Sequence, residues 1–272
     1  MDDLLLARIA AALERLTPPP APAVDIADGD AFIWSANGLK SVTAARAQPL
    51  ASFVGIDAQR DTLLENSRRH ARSLPAHDVL LWGARGMGKS SLVKSVVTAL
   101  RGTGDDLALI QVARDDIASL GALFETLGKT ERRALVFADD LSFEADETQY
   151  KALRSVLDGG IAARPDGVRL VVTSNRRHLV PRVHGEDDAA VNPRDVLDDR
   201  LALADRFGLS LGFHNCDQPT YLAMVAGYAA AHGLEFDERA AIAWAVGRGH
   251  RSGRVAWQYI EELAGAVGQR LA

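Results

Sequence analysis

Residues 83–90 read Gly-Ala-Arg-Gly-Met-Gly-Lys-Ser, a match to G-x-x-x-x-G-K-[ST]. That spacing is the phosphate-binding P-loop, and each residue type has a task in it. Gly83, Gly86 and Gly88 lack a Cβ, so backbone N–H groups can approach phosphate oxygens. Lys89 offers a positive charge to the β- and γ-phosphates, and Ser90 a hydroxyl to Mg²⁺. Ala84, Arg85 and Met87 fill the loop. Ser91 belongs to the first turn of the following helix, whose N-terminus favours an anion. The motif requires a strand before it and a helix after it. Asp78-Val79-Leu80-Leu81-Trp82 is an apolar strand, and 90–100 has helical patterning.

A second group of chemistry-bearing residues follows about fifty positions later. The apolar run 133–138 ends in Asp139-Asp140. Ligands of open parallel sheets bind beyond the carboxyl ends of the strands, which is where this pair would lie. Asp139 is suited to hold Mg²⁺ opposite Ser90. Asp140 is suited to orient an attacking water as general base. Glu is commoner in that role and one methylene longer, and Glu144 is an alternative. Asn175 ends another apolar run, 168–174, where its amide could contact the γ-phosphate or the water; Thr173 and Ser174 are neighbours able to substitute. Arg206, in Asp205-Arg206-Phe207, is an arginine-finger candidate, with Arg200 as second choice. Arg254, in Ser252-Gly253-Arg254, opens the last helix, where a cation opposes the helix dipole unless an anion is near; Arg251 is the alternative.

Five strands are needed to position these groups. They fall at 78–82, 107–112, 133–138, 168–175 and 207–213, alternating with helices at 90–100, 115–127, 146–158 and 198–204. That rhythm implies a parallel sheet with helices on both faces. Asp57 is expected to cap a helix running to about residue 72, and Val54 and Ile56 just before it are placed to cover a base. Residues 31–34 suggest a further short strand before a turn at 36–38. After 215 the strands stop, and helices are expected at 217–232, 237–247 and 252–271. At the N-terminus, 3–16 has an amphipathic helical pattern, packing at home or docking on a neighbouring subunit, and prolines at 18–20 and 22 end it. The run 176–197 reads as an irregular insertion whose His and acidic residues lack metal-ligand spacing.

The composition excludes several classes. Formal net charge is −5, so no global basic field argues for nucleic acid. The basic clusters 68–72 and 176–178 read as solvated faces, leaving a nucleic-acid partner weakly supported. One cysteine, Cys216, precludes an internal disulfide and fits a reducing, cytoplasmic setting. No apolar run has membrane-spanning length.

Together, Val54-Gly55-Ile56-Asp57, 81–86, Asp139-Asp140-Leu141-Ser142-Phe143-Glu144 and 252–258 resemble the AAA+ ATPases. Within that class they resemble the group known as domain-of-unknown-function family 815, over about residues 50–270. The second Asp also resembles the replication-initiator and helicase-loader branch. The resemblance implies an α/β P-loop NTPase with a five-stranded parallel sheet ordered 5-1-4-3-2 and a C-terminal helical lid. It implies a leading segment 1–50, a nucleotide-binding domain 51–216 and a lid 217–272. It also implies ATP with Mg²⁺ and a homo-oligomer in which Arg206 acts on a neighbour's nucleotide. The expected activity is ATP hydrolysis that remodels or loads a partner; the alternatives are a nucleotide-gated binding switch with little hydrolysis and a nucleic-acid-associated loader.

Overall fold

A computed structural model describes residues 5, 8, 25–43, 47–141, 147–157, 164–175 and 204–271. Its centre is a seven-stranded sheet: β1 (Ala31–Ser35), β2 (Gly38–Val42), β3 (Val79–Gly83), β4 (Ala108–Val112), β5 (Ala134–Ala138), β6 (Val168–Ser174) and β7 (Leu209–Phe213). The order is β2-β1-β4-β5-β6-β3-β7. The expectation of five strands is therefore corrected to seven. The five expected strands, β7, β3, β6, β5 and β4, stand in the 5-1-4-3-2 relation, and a hairpin extends the sheet beyond β4. In it β1 pairs with β4 in parallel and β2 returns antiparallel, through a turn at Ala36 and Asn37. Residues 31–42, expected ahead of the nucleotide-binding unit, thus build one edge of its sheet.

The central strands are apolar along their whole length because both faces are covered. Side chains alternate between the faces with period two. Val79, Leu81, Leu135 and Phe137 pack on one side with Leu63, Leu92, Val96 and Leu100. Leu80, Ile110, Val136 and Val172 pack on the other with Ile117, Leu123 and Phe124. Each such side chain fully withdrawn from water contributes about 1.5–3 kcal/mol before chain entropy is subtracted.

The helices are α1 (Asp57–Ala71), α2 (Lys89–Gly102), α3 (Leu120–Leu127), α4 (Glu147–Leu157), α5 (Gln218–His232), α6 (Glu238–Gly247) and α7 (Gly253–Ala266). Asp57 is the first helical residue rather than the cap; Ile56 holds the cap position, and Asp57 pairs with Arg60 at 2.9 Å. The helix expected from 115 begins as a 3-10 segment, Arg114–Ser119, and turns α-helical at Leu120. Three C-terminal helices start on side-chain caps: Asp217 accepts from Thr220 N–H, Asp237 from Ala240 N–H and Ser252 from Val255 N–H. They pack around buried Tyr221, whose hydroxyl donates to the Ala241 carbonyl at 3.2 Å. α7 ends at 266, five residues short of the expected end. No helix among the described residues is long and apolar enough to cross a membrane. The expected insertion at 176–197, Arg200, Glu144 and, apart from Leu5 and Arg8, the helix at 3–16 lie outside the described residues.

Candidate functional site

β3 delivers the chain to the P-loop and α2 leaves it. Gly83 has φ of 119°, and an added Cβ would stand 2.0 Å from the Phe213 carbonyl oxygen of neighbouring β7. Only glycine permits that approach. The same carbonyl accepts from Ala84 N–H at 2.7 Å, so the start of the loop is clamped to the sheet.

Lys89, in the first turn of α2, folds back under the loop. Its Nζ donates to Gly83 O at 2.9 Å, Ala84 O at 2.8 Å and Asn175 Oδ1 at 3.1 Å. Burial draws its pKa down from the ordinary lysine value to about 8; nearby Asp140 and Asp139 oppose the shift, and Arg254 and Arg85 add to it. An anion in contact with this ammonium would raise the pKa again.

β5 ends beside α2, which brings the acidic pair to Ser90. Ser90 Oγ donates to Asp139 Oδ1 at 2.6 Å. Thr173 Oγ1 donates to the same oxygen at 2.6 Å and accepts from Asp140 N–H at 2.8 Å. Asp140 has φ of 51°, in the left-handed region that Asp tolerates better than most residues. Asn175 Nδ2 donates to Asp140 Oδ1. Asn175 therefore spans Lys89 and Asp140 through the two ends of its amide.

The N-terminus of α7 meets the P-loop directly. Arg254 N–H donates to Gly86 O at 3.0 Å, while its guanidinium remains exposed. These elements enclose a cavity of about 530 Å³, within the roughly 300–1,000 Å³ usual for small-molecule sites. Its lining includes Arg85 to Ser91, Val54, Ile56, Asp139, Asp140, Asn175 and Arg254, all expected from the sequence. Gly83 and Ala84 lie just behind it as acceptors for Lys89.

Arg206 is placed elsewhere. It precedes β7, whose Leu209 is level with Val79 at the amino end of β3, whereas Phe213 is level with Gly83 at the P-loop end. It does not line the cavity. Sequence reasoning missed Gln48, Phe53, Met224, Tyr228 and Trp257, which do line it. Trp257 had a signal, since it follows Arg254 by three positions on one helix face. Tyr228 joins it only through packing, edge-on at 5.5 Å between ring centroids.

The donor set suits a hard cation beside a polyphosphate. A hydroxyl and a carboxylate, Ser90 and Asp139, fit Mg²⁺, which takes few protein ligands when phosphate oxygens and waters complete its shell. Among the described residues no cluster of three or more His, Cys, Asp or Glu offers an all-protein metal cage.

The fold and strand order are those of the AAA+ class of P-loop folds. The RuvB Holliday junction branch migration motor of Thermotoga maritima aligns over 82% of this chain and 67% of its own, with TM-score 0.51 and 17% identity. The Aeropyrum pernix Orc1 protein, solved in complex with DNA, aligns over 75% and 57%, with TM-score 0.52 and 16% identity. Within that class, the chain belongs to the family described as "Protein of unknown function (DUF815)", whose model matches residues 27–267. The sequence matches no curated protein.

Proposed function

We propose that this protein binds Mg-ATP between the P-loop and a lid formed by α5–α7, and hydrolyses it to remodel or load a partner. The observation that carries the reading is the convergence on one cavity of the buried Lys89, the Ser90–Asp139 pair and Arg254. In this reading Gly86, Gly88 and Lys89 hold the phosphates, and Val54, Ile56 and Phe53 cover the base. Ser90 and Asp139 hold Mg²⁺, which neutralises charge on the β- and γ-phosphate oxygens. Asp140 orients the attacking water and accepts its proton. Asn175 and Arg254 read the terminal phosphate.

Arg206, at the far end of β7, would serve the site of an adjoining subunit. In the test, Arg206→Ala lowers phosphate release and spares ATP affinity. Mixing with Lys89→Ala subunits, which keep Arg206, restores turnover; no restoration removes the trans assignment. For the site itself, calorimetric titration of the full chain with ATP and Mg²⁺ should give saturable heat, and its absence rejects the proposal.

The Asn175–Asp140 contact favours a second reading. A general base held by an amide, and one methylene shorter than Glu, suits a nucleotide-gated binding switch with little hydrolysis. ATP binding without steady-state phosphate release would select it. Nucleic acid is a weaker candidate partner: in the basic cluster at 68–72, Arg68 pairs with Glu65 and Arg72 with Asp105.

A further inference from the structure

We propose that Thr173 is a positioning residue that sets the Mg²⁺-facing geometry of Asp139 and the backbone of Asp140 at once. The inference rests on the Mg-ATP reading above and adds to it a residue that the motif pattern does not contain.

Thr173 lies on β6 between the two strands that matter. It is level with Leu81 of β3, and its neighbour Val172 is level with Ala138, the residue before Asp139. The sheet register therefore brings its hydroxyl to the acidic pair. A hydroxyl has one proton and two lone pairs. The proton goes to Asp139 Oδ1 at 2.6 Å, and a lone pair receives Asp140 N–H at 2.8 Å. The Thr173 carbonyl then accepts from Leu141 N–H at 2.9 Å. Thr173 thus makes three successive contacts with the 139–141 segment.

Two features make these contacts directive. Thr173 borders the cavity but is only 1% exposed, so its hydroxyl is largely shielded from water, and its branched Cβ restricts rotation about χ1. Asp139 Oδ1 accepts a second hydrogen bond, from Ser90 Oγ. Two hydroxyls, one from α2 and one from β6, fix the plane of that carboxylate. Asp140 has φ of 51°, a left-handed backbone that is strained for a residue with a side chain. The Thr173 acceptor at its N–H offsets part of that strain. With the backbone so held, the Asp140 carboxylate meets the Asn175 amide.

The test is ATP titration of the full chain, in Mg²⁺ and again in EDTA, for the wild type, Thr173→Val and Thr173→Ser. Valine keeps shape and branching and removes the hydroxyl; serine restores it. Thr173→Val should bind ATP in EDTA within about twofold of wild type, while its Mg²⁺-dependent gain in affinity falls by about 10- to 100-fold, the range for groups that orient a metal ligand. Thr173→Ser should retain most of the gain. A purely structural threonine would move both titrations together. A wild-type Mg²⁺ gain in Thr173→Val, or equal loss in Thr173→Ser, overturns the proposal. If Thr173→Val does not fold, hydrogen exchange at the wild-type Asp140 amide decides: a protected amide supports the contact and an unprotected one overturns it. Absence of ATP heat in the wild type would instead remove the Mg-ATP reading, and this inference with it.

Discussion

At the amino end of the central sheet, buried polar groups find partners within the protein, although His70 Nδ1 and Arg164 Nε are left without one. Asp78 accepts from Arg164 and from Leu170 N–H, the latter at 2.8 Å. Asn66 and the backbone of His77 exchange two bonds of 3.0 Å. His70 is fully buried, with Nε2 3.1 Å from the Ala134 carbonyl. At the carboxyl end, 6% exposed Lys89 hydrogen-bonds to neutral oxygens, two carbonyls and an amide, with Asp139 and Asp140 nearby, beside an open cavity. One end uses polarity to close the fold. The other holds a charge that, in the Mg-ATP reading, faces an anion from outside. Substitutions at the two ends should therefore separate stability from ligand binding.

The largest separation is expected for Lys89→Ala. ATP binding and turnover should fall by more than about a hundredfold, because the buried cation facing the phosphates is gone. Melting temperature should hardly change, since the folded state already disfavours that charge, as its lowered pKa shows. Calorimetry with thermal unfolding reads both; a large loss of stability with intact binding would reverse the comparison.

Asp78→Ala should do the opposite. It strands Arg164 and the Leu170 N–H, and breaking such a pair costs about 2–4 kcal/mol after allowance for its partial exposure. ATP affinity of the folded protein should remain. Urea unfolding and titration of one preparation check both halves.

His70 gives the amino end a signature in pH. Burial lowers its pKa from 6.5 to about 4, against the Ala134 carbonyl contact, with Arg169 and Arg133 adding to the shift. The unfolded chain takes up the proton at higher pH than the folded chain. Stability from this site is complete above about 6.5 and falls as pH drops towards 4, by about 2–3 kcal/mol at pH 4.5. Asp105 and Asp106, whose arginine partners hold them below the ordinary 3.8, lose their contributions only at lower pH. Urea midpoints at pH 7.5 and 4.5 should differ in the wild type and much less in His70→Gln.

The carboxyl end was the more legible in sequence because its chemistry dictates residue types at fixed spacing. Gly83 to Ser90 and Asp139-Asp140 announce themselves, and the strands that carry them are continuous apolar runs. Thr173 was visible only as a possible substitute for Asn175, because its role comes from β6 lying between β3 and β5. Lining residues such as Gln48, Phe53 and Tyr228 arrive from elements far apart in the chain, with no local pattern. The hairpin at 31–42 was half legible: Phe32 and Trp34 alternate as a strand should, but Gly38–Val42 is largely solvated and shows little periodicity. The network around Asp78 and His70 left no signal either, because pairing a buried polar group depends on tertiary contacts.

The smallest effect tests whether the carboxyl end is coupled to the C-terminal helices. Gly86 has φ of 75°, and an added Cβ would stand 2.8 Å from Ser252 Oγ and 3.1 Å from Arg254 Cβ. Gly104 has φ of 89° and nothing within 4 Å of its Cβ position. Gly104→Ala therefore carries the backbone strain alone, about 1 kcal/mol. Gly86→Ala carries that strain and also displaces the start of α7, whose Arg254 N–H is bonded to Gly86 O. If α7 reports on the phosphate loop, Gly86→Ala should weaken ATP binding by about three- to tenfold, equivalent to about 0.7–1.4 kcal/mol. Gly104→Ala should leave binding unchanged. Equal stability losses with no difference in affinity would mean that α7 merely rests on the P-loop, and Arg254 would then act through its side chain alone.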